Sequence, residues 1–286
     1  LLRGGHEVVV WDRNPEKVRK AGDGGARGAE ALDALVAALA PPRAVWVMVT
    51  AGDATEQTLT TLGGLLEAGD AIVDGGNSNY ADSIRRASTL AARGVRFLDV
   101  GTSGGVWGLA EGYALMVGGD AAAAARLRPI FETLAPAPDR GWGHVGPSGS
   151  GHFVKMVHNG IEYGLMQAYA EGFSILRHKE TLSLDLAQVA EIWRHGSVVR
   201  SWLLDLTARA LHDNPTMQGI APHVADSGEG RWTVAEAVAL DVPAPVITLS
   251  LIQRLRSRDA ESYADRLLAA LRHQFGGHAI QRELPP

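Results

Sequence analysis

The first half of the chain alternates short apolar runs with helical segments. The apolar runs cover residues 7–11, 45–49, 71–74 and 96–100. Helical patterning separates them, for example over 54–67 and 79–93. Strands that are buried on both faces have continuous, β-branched runs of this kind. Their alternation with helices predicts a parallel sheet with helices packed against it, which is an α/β domain.

The second half of the chain has no further strand signal, and helical periodicity dominates from Phe153 onward. The change follows the Gly-Pro-Ser-Gly turn at 146–149. We therefore predict an α/β domain at residues 1–148 and an all-helical domain at 149–286. The tail at 272–286 contains paired glycines and paired prolines, so we predict that it is irregular.

Composition and charge restrict the classes of function. With 46% hydrophobic and 21% charged residues, the 286-residue chain has the composition of a globular enzyme. A net charge of -5 gives no general attraction for nucleic acid or an anionic membrane. The sequence contains no cysteine, and no apolar run reaches the roughly 18 residues of a membrane span. We expect a cytoplasmic enzyme with no metal, no nucleic-acid partner and no membrane partner.

An acidic residue follows the first of the predicted strands. In a doubly wound sheet, a carboxylate at this point accepts hydrogen bonds from the adenosine ribose of a dinucleotide. Asp12 has this position, although it equally suits a helix-capping Asp ahead of Asn14. Asp12 repels a ribose 2′-phosphate whereas Arg13 attracts one, and we expect NAD in preference to NADP. The predicted cofactor contacts of this Rossmann-type domain are Asp12, Arg13, Asn14, Val49, Thr50, Ala51 and Asn77.

The glycine-rich phosphate loop of such a domain is not in the sequence. Residues 1–6 have the character of the end of the helix that follows this loop. We therefore expect the native protein to carry a further strand and loop of about 20 residues ahead of Leu1. The alternative is a truncated product that folds but cannot hold a dinucleotide. The encoded residues immediately upstream of Leu1 distinguish the two.

The segment at 149–164 places four polar side chains on one face of a predicted helix. An amine, an imidazole, an amide and a carboxylate recur at i, i+3, i+4 and i+7. These residues are Lys155, His158, Asn159 and Glu162. Alternatively, the face is a solvated stripe with helix salt bridges, and the opposite positions Val154, Val157 and Ile161 are core.

This segment resembles the active-site helix of the 6-phosphogluconate dehydrogenases. It reads Gly-Ser-Gly-His-Phe-Val-Lys-Met-Val-His-Asn-Gly-Ile-Glu-Tyr-Gly. The Asp-Gly-Gly-Asn-Ser loop at 74–78 and the Gly-Thr-Ser-Gly-Gly loop at 101–105 also resemble the two substrate loops of that family, in the same order. The likeness covers almost the whole chain. The short helical domain resembles the shorter subfamily, which is often NAD-linked. One departure is Ser227, where longer members carry a Lys before a Gly-Thr-Gly turn.

The resemblance implies oxidative decarboxylation of 6-phospho-D-gluconate to D-ribulose 5-phosphate and CO₂, with reduction of NAD, a step of the pentose phosphate pathway and of gluconate utilization. The implied catalytic residues are Lys155 as the base and then the acid at the ketone oxygen, Glu162 as the acid at C1, and Asn159. The implied substrate contacts are Asn77, Ser103, Gly104, Gly105, His158, Asn159, Tyr163, Arg254, Arg272 and His278. Tyr163, Arg254 and Arg272 would hold the 6-phosphate.

The resemblance also implies a homodimer or homotetramer. Arg272 and His278 flank Phe275-Gly276-Gly277 with the spacing of the family, whose tail reaches the site of a neighbouring subunit. A related group of 3-hydroxyacid dehydrogenases, which oxidise without decarboxylating, shares the Ser-Gly-Gly loop and the Lys-to-Asn helix and is the alternative among enzymes. Glu162 followed by Tyr163 distinguishes the two groups.

Overall fold

The computed structural model describes residues 1–276 and 279–281. The chain divides into two compact units, Leu1–Gly160 and Ile161–Pro286. The predicted domain limit at residue 148 lies just before a long helix, and this helix runs across the division between the units.

Unit 1, of which every residue is described, contains seven strands in two sheets. The strands are β1 (Val9–Val10), β2 (Arg27–Gly28), β3 (Ala44–Val47), β4 (Ala71–Asp74), β5 (Arg96–Ser103), β6 (Ala114–Gly119) and β7 (Trp142–Gly146). The first two pair with each other, and the others form a sheet in the order β3-β4-β5-β6-β7. All pairs are parallel except β5 with β6. A cavity of about 460 Å³, lined mainly by apolar residues, has β1 and β3 among its walls.

The strands of unit 1 alternate with helices. These are α1 (Pro15–Asp23), α2 (Leu32–Ala37), α3 (Asp53–Leu65), α4 (Tyr80–Ala91), α5 (Gly108–Glu111), α6 (Ala121–Leu134) and the start of α7 (Ser150–His178). Every residue of β4 is buried. Its alternate side chains enter two different cores, with Ile72 in one and Val73 in the other. This burial on both faces confirms the predicted α/β fold.

Within the described part of residues 161–286, every regular element is helical. After α7 follow α8 (Leu186–Arg194), α9 (Trp202–Asp213), α10 (Glu229–Ala239), α11 (Pro245–Arg256) and α12 (Tyr263–Gly276). The core of unit 2 includes Phe173 of α7, Ala190 of α8 and Leu204 of α9. No helix in the described ranges is long and apolar enough to span a membrane.

Several predicted bounds differ from the structure. The strand predicted at 7–11 is formed only by Val9–Val10, whereas the one predicted at 96–100 continues to Ser103. Strands β6 and β7 were not predicted, because their glycines and His144 interrupt the apolar pattern. The prediction that the tail is irregular from residue 272 is wrong up to Gly276, since α12 continues to the glycine pair.

Candidate active site

The catalytic helix predicted from the sequence begins on a buried carboxylate. Asp99 of β5 accepts hydrogen bonds from the Gly149 N–H at 2.7 Å and from the His152 N–H at 2.9 Å. The first amides of a helix have no partner within it and carry a partial positive charge. Asp99 satisfies two amides at the start of α7 and fixes the first turn to the sheet.

Glycines bring the start of α7 directly onto β5. A Cβ atom on Gly101 would lie 2.5 Å from the Cβ of Lys155 and 2.6 Å from the carbonyl oxygen of Gly151. A Cβ on Gly151 would in turn collide with the backbone of Asp99. Side chains on either glycine would push the helix outward. The base of the Lys155 side chain therefore rests on the carboxyl-terminal part of β5.

The polar residues of α7 form a connected group with Ser103. Lys155 Nζ lies 3.4 Å from His158 Nδ1, and Asn159 Oδ1 lies 2.9 Å from the same nitrogen. Ser103 Oγ lies 3.5 Å from His158 Nε2. The short contact to Asn159 favours the tautomer with a proton on Nδ1, which leaves Nε2 as the acceptor for Ser103. The structure thus brings a lysine amine, an imidazole, an amide and a hydroxyl together within unit 1.

In this helix the polar face is buried and apolar positions are exposed, which is the reverse of a solvated surface helix. Lys155 is only 6% exposed and Asn159 9%, whereas Val154 is 38% exposed and Ile161 52%. An ordinary surface helix buries its apolar positions and exposes its charges. The alternative of a salt-bridged surface face, with Val154 and Ile161 in the core, is therefore wrong.

Asn77 joins the two predicted substrate loops. Its Oδ1 accepts from the Thr102 N–H at 2.9 Å, and its Nδ2 donates to the Thr102 carbonyl at 3.1 Å. The residue has a φ of 53°, in the left-handed region that Asn tolerates better than most residues. This two-point contact holds the loop that follows β4 against the end of β5.

The loop after β5 has room for a ligand at one glycine. Gly104 and Gly105 have φ values of 143° and 52°, which side chains rarely adopt. A Cβ on Gly105 would meet nothing within 4 Å, in contrast to Gly104, which packs against Tyr113. Ser103 and Gly105 can therefore be approached closely by a bound molecule.

The predicted cofactor residues lie after β1 and β3. Asp12 Oδ1 accepts from the Asn14 N–H at 2.8 Å, and this bond lowers the pKa of Asp12. The cap of α1 is Asn14, whose Oδ1 accepts from the Glu16 N–H, so the alternative of Asp12 as the capping residue is wrong. The Asp12 side chain is 40% exposed, with Lys17 Nζ 3.5 Å away. It remains accessible to ribose hydroxyls.

The loop with Val49, Thr50 and Ala51 follows β3. The Thr55 hydroxyl donates to the Thr50 carbonyl at 2.9 Å, and a Cβ on Gly76 would lie 2.6 Å from the Val49 carbonyl oxygen. The loops after β3 and β4 are thus in close contact, at the sheet edge where nucleotides bind in open α/β folds.

In unit 2, two predicted substrate residues are stacked. The Arg254 guanidinium carbon lies 3.5 Å from the centre of the buried Tyr163 ring, a cation–π arrangement. Arg254 Nη1 also donates to the Ala225 carbonyl at 2.9 Å. The Tyr163 hydroxyl accepts from the Ser227 N–H at 3.4 Å. A guanidinium held in this way is suited to a phosphate or carboxylate.

Comparison with known proteins gives two matches that together cover most of the chain. Residues 1–145 match the NAD-binding domain of 6-phosphogluconate dehydrogenase, and residues 151–266 match its C-terminal domain. The chain belongs to the 6-phosphogluconate dehydrogenase family. A relative from Haloferax volcanii, an NAD(+)-dependent, decarboxylating 6-phosphogluconate dehydrogenase, is 46% identical over 99% of this chain and 93% of its own length.

Solved structures agree with this family membership. The 6-phosphogluconate dehydrogenase of Plasmodium falciparum has a TM-score of 0.81 and 30% identity, covering 99% of this chain and 62% of that one. A 3-hydroxyisobutyrate dehydrogenase from Salmonella typhimurium has a TM-score of 0.74 and 22% identity, covering 91% and 88%. The second likeness shows a shared fold only.

The remaining residues predicted from this family lie in unit 2. Glu162 lies two turns beyond Lys155 on α7 and is partly buried. Arg272 is exposed in the last turns of α12. His278 lies outside the described residues. Ser227, at the family's lysine position, donates its hydroxyl to the buried Glu229 carboxylate. Within the described ranges, no group of three or more His, Asp or Glu residues could hold a metal ion.

Several residues of the site were not predicted. They are buried polar groups that support the loops and the helix, namely Asp74, Ser78, Ser83, Arg86, Asp99 and His152. Two of them, Asp74 and Asp99, are direct neighbours in the parallel register of β4 and β5. A carboxylate inside an otherwise apolar strand run was the available signal in both cases.

Proposed function

We propose that this protein oxidises 6-phospho-D-gluconate with NAD and releases CO₂, giving D-ribulose 5-phosphate. The observation that supports this most is the buried amine of Lys155, beside His158 and Asn159 and on the same sheet edge as Ser103 and Asn77. The name of the Haloferax volcanii relative agrees with this reaction. A buried amine with hydrogen-bonding neighbours is suited to take and return a proton.

Lys155 would act twice at one oxygen. In the first step it takes the proton of the C3 hydroxyl while the C3 hydride leaves, which gives a 3-keto acid. In the second step the protonated amine donates to the ketone oxygen while the C1–C2 bond breaks and CO₂ departs. Stabilising the developing oxyanion lowers the barrier to that step. His158 and Asn159 would hold the amine and the substrate in place.

NAD would supply the acceptor for the hydride. The residues present fit its adenosine end, because the charged and accessible Asp12 carboxylate follows β1 and can accept two ribose hydroxyls. Val49, Thr50 and Ala51 would border the cofactor after β3. Arg13 and Asn14 would lie beside the ribose. Because Asp12 repels a 2′-phosphate, catalytic efficiency should be higher with NAD than with NADP, and Asp12→Ser should narrow the difference.

Glu162 would complete the reaction. The enediol left after loss of CO₂ needs a proton at the former C2, which becomes C1 of ribulose 5-phosphate. Glu162 is a carboxyl group two turns further along the helix that carries Lys155. A non-decarboxylating 3-hydroxyacid dehydrogenase would have no such task for Glu162. Tyr163 and Arg254 would bind the 6-phosphate, with Arg272 as a further contact.

The test uses the full chain with 6-phosphogluconate and NAD. We expect NADH and CO₂ to form in equal amounts, measured by absorbance and by trapped label from [1-¹⁴C]6-phosphogluconate. Accumulation of a 3-keto acid without CO₂ would support the 3-hydroxyacid alternative. A protein that forms no NADH with this substrate would contradict the proposal.

The same family pattern supports an assembly in which the tail acts across subunits. Arg272 lies near the end of α12, and a phosphate contact from a chain end requires the end to be docked. We expect a homodimer or homotetramer by light scattering. Deleting the residues beyond Leu271 should raise KM at least about tenfold, the effect of losing an Arg–phosphate contact.

Hybrid assemblies test the tail more directly. Tailless chains and Lys155→Met chains are each inactive or weak alone under this proposal. Mixed oligomers would regain activity at sites that combine an intact helix with an intact tail from the partner. Co-assembled hybrids without regained activity would mean that the tail serves its own subunit.

A further inference from the structure

A buried polar cluster lies behind the residues assigned to chemistry in unit 1. Its members are Asp74 of β4, Ser78, Ser83 of α4, Asp99 of β5 and His152 of α7, and none is more than 3% exposed. The Ser78 hydroxyl donates to Asp74 Oδ2 at 2.8 Å. The Asp74 Oδ1 atom accepts from the Gly76 N–H at 3.0 Å. One end of the cluster therefore supports the Asn77 loop.

The other end of the cluster holds α7. Ser83 Oγ lies 2.7 Å from His152 Nδ1, in a bond between two fully buried side chains. Burial lowers the pKa of His152, so the ring is neutral near neutral pH. The Ser83 hydroxyl also lies 3.3 Å from the Asn79 carbonyl. It can therefore donate to the imidazole or accept from it, and either tautomer of His152 keeps the bond.

Packing alone does not explain these residues. Burying an imidazole and a hydroxyl costs free energy that their hydrogen bond only partly offsets, whereas an apolar pair would pack without that cost. A hydrogen bond has a preferred direction, which apolar contact lacks. Because α4 begins directly after the Asn77 loop and Lys155 is three residues after His152, this bond connects the substrate loop to the helix that carries the base.

We infer that Ser83 and His152 are positioning residues for Lys155, setting the rotation of α7 so that the amine meets the substrate held at Asn77 and Ser103. This inference rests on the proposed function in so far as Lys155 is the base. Asp99 fixes where the helix begins, and the Ser83–His152 bond fixes which way the start of the helix faces. Both side chains are fully buried, so their role would be to position Lys155 and not to bind the substrate.

The kinetic test uses Ser83→Ala, which removes the bond with little loss of volume. We expect kcat to fall about tenfold, because small misplacements of a reacting group are costly, while KM for 6-phosphogluconate changes by less than about twofold. Ser250→Ala is the matched control, because Ser250 is equally buried and donates to the Ile247 carbonyl. It should leave kcat and KM unchanged.

Two substitutions of His152 test whether its hydrogen bond or only its volume matters for kcat. In His152→Asn, the amide can place a polar atom where Nδ1 lies and keep the contact with Ser83, whereas His152→Leu fills the space without a polar atom. We expect Asn to retain clearly more of kcat than Leu does. Equal losses in the two variants, or a Ser83→Ala enzyme with the wild-type kcat, would overturn the inference.

A measurement that is independent of turnover is the reactivity of the Lys155 amine. Acetic anhydride labelling, read by mass spectrometry, should modify Lys155 at least about threefold faster in Ser83→Ala than in the wild type or Ser250→Ala, because the helix start opens locally. Equal labelling would contradict the inference. If wild-type protein does not turn over 6-phosphogluconate but the labelling contrast is present, the proposed function fails and the positioning role remains.

Discussion

The predicted base in unit 1 and the predicted phosphate-binding residues in unit 2 are held in different ways. In unit 1, Lys155 and Asn159 are buried, and Asn77 binds the backbone of Thr102 in β5 with both of its polar groups. In unit 2, Arg254 is partly exposed, stacked on Tyr163 and bonded to a loop carbonyl. The nearly buried carboxylate of Asp226 holds that loop through ion pairs with Arg231 and Arg258.

The difference corresponds to two tasks. Proton transfer depends steeply on geometry, so the group that carries it is fixed by buried contacts from several elements. Phosphate binding depends on charge and tolerates a longer, more mobile side chain. The departure from the family pattern at Ser227 falls among the predicted phosphate-binding residues of unit 2. We therefore expect replacement of Lys155 in unit 1 to lower kcat, and replacement of the predicted phosphate-binding residues of unit 2 to raise KM.

The largest expected effect comes from Lys155→Met. The variant keeps the volume of the side chain and loses the amine, so kcat should fall by a factor of about 10³ or more, at the upper range for general acid–base groups. Binding of 6-phosphogluconate, measured by calorimetry, should stay within about tenfold of the wild type because the phosphate contacts remain.

Lys179→Met is the matched control. Lys179 is exposed just beyond the end of α7, and its replacement should leave kcat unchanged. Turnover by Lys155→Met at the wild-type rate would show that Lys155 is not the base. The different burial of the two groups of residues would then not correspond to different tasks.

The second prediction concerns Arg254→Met. Loss of a guanidinium contact with phosphate removes about 1.5–3 kcal/mol of binding, so KM should rise by about ten- to a hundredfold while kcat changes by less than about threefold. Arg256→Met, on the same helix and paired with Asp265 at the surface, should change neither constant. A large fall in kcat with an unchanged KM would show that Arg254 takes part in the chemistry rather than in phosphate binding.

Much of unit 1 could be predicted from its sequence because its signals are local. The apolar runs mark the buried strands, and the spacing from Lys155 to Glu162 marks one helix face. The contacts that hold this face could not be predicted, since Asp99 lies 50 residues before Gly149, and Ser83 lies 69 residues before His152. Contacts between residues so far apart in the sequence depend on how the strands and helices are arranged in the fold, which local patterns do not predict.

Less of the structure of unit 2 could be predicted from its sequence, for a different reason. Helical periodicity predicts the helices of this unit. It does not predict which loop each helix contacts. The stacking of Arg254 on Tyr163 depends on Gly230, where a Cβ would collide with the Tyr163 ring. This glycine appears in the sequence as an ordinary turn residue before Arg231. Its packing role is visible only in the structure.

The smallest expected effect is a pH dependence of stability that originates in unit 1. Burial lowers the pKa of His152 in the folded protein, so the unfolded chain binds a proton more readily below the ordinary His pKa of about 6.5. The free energy of unfolding therefore contains a contribution that is present above that pH and is lost as the pH falls below it. In His152→Leu this contribution is absent, and the decrease of Tm between pH 8 and pH 5 should be shallower than in the wild type. Exposed His212, replaced in the same way, should leave the slope unchanged. Parallel Tm profiles for the wild type and His152→Leu would mean that the buried end of the cluster opens to water. The buried contacts around Lys155 would then not distinguish unit 1 from unit 2.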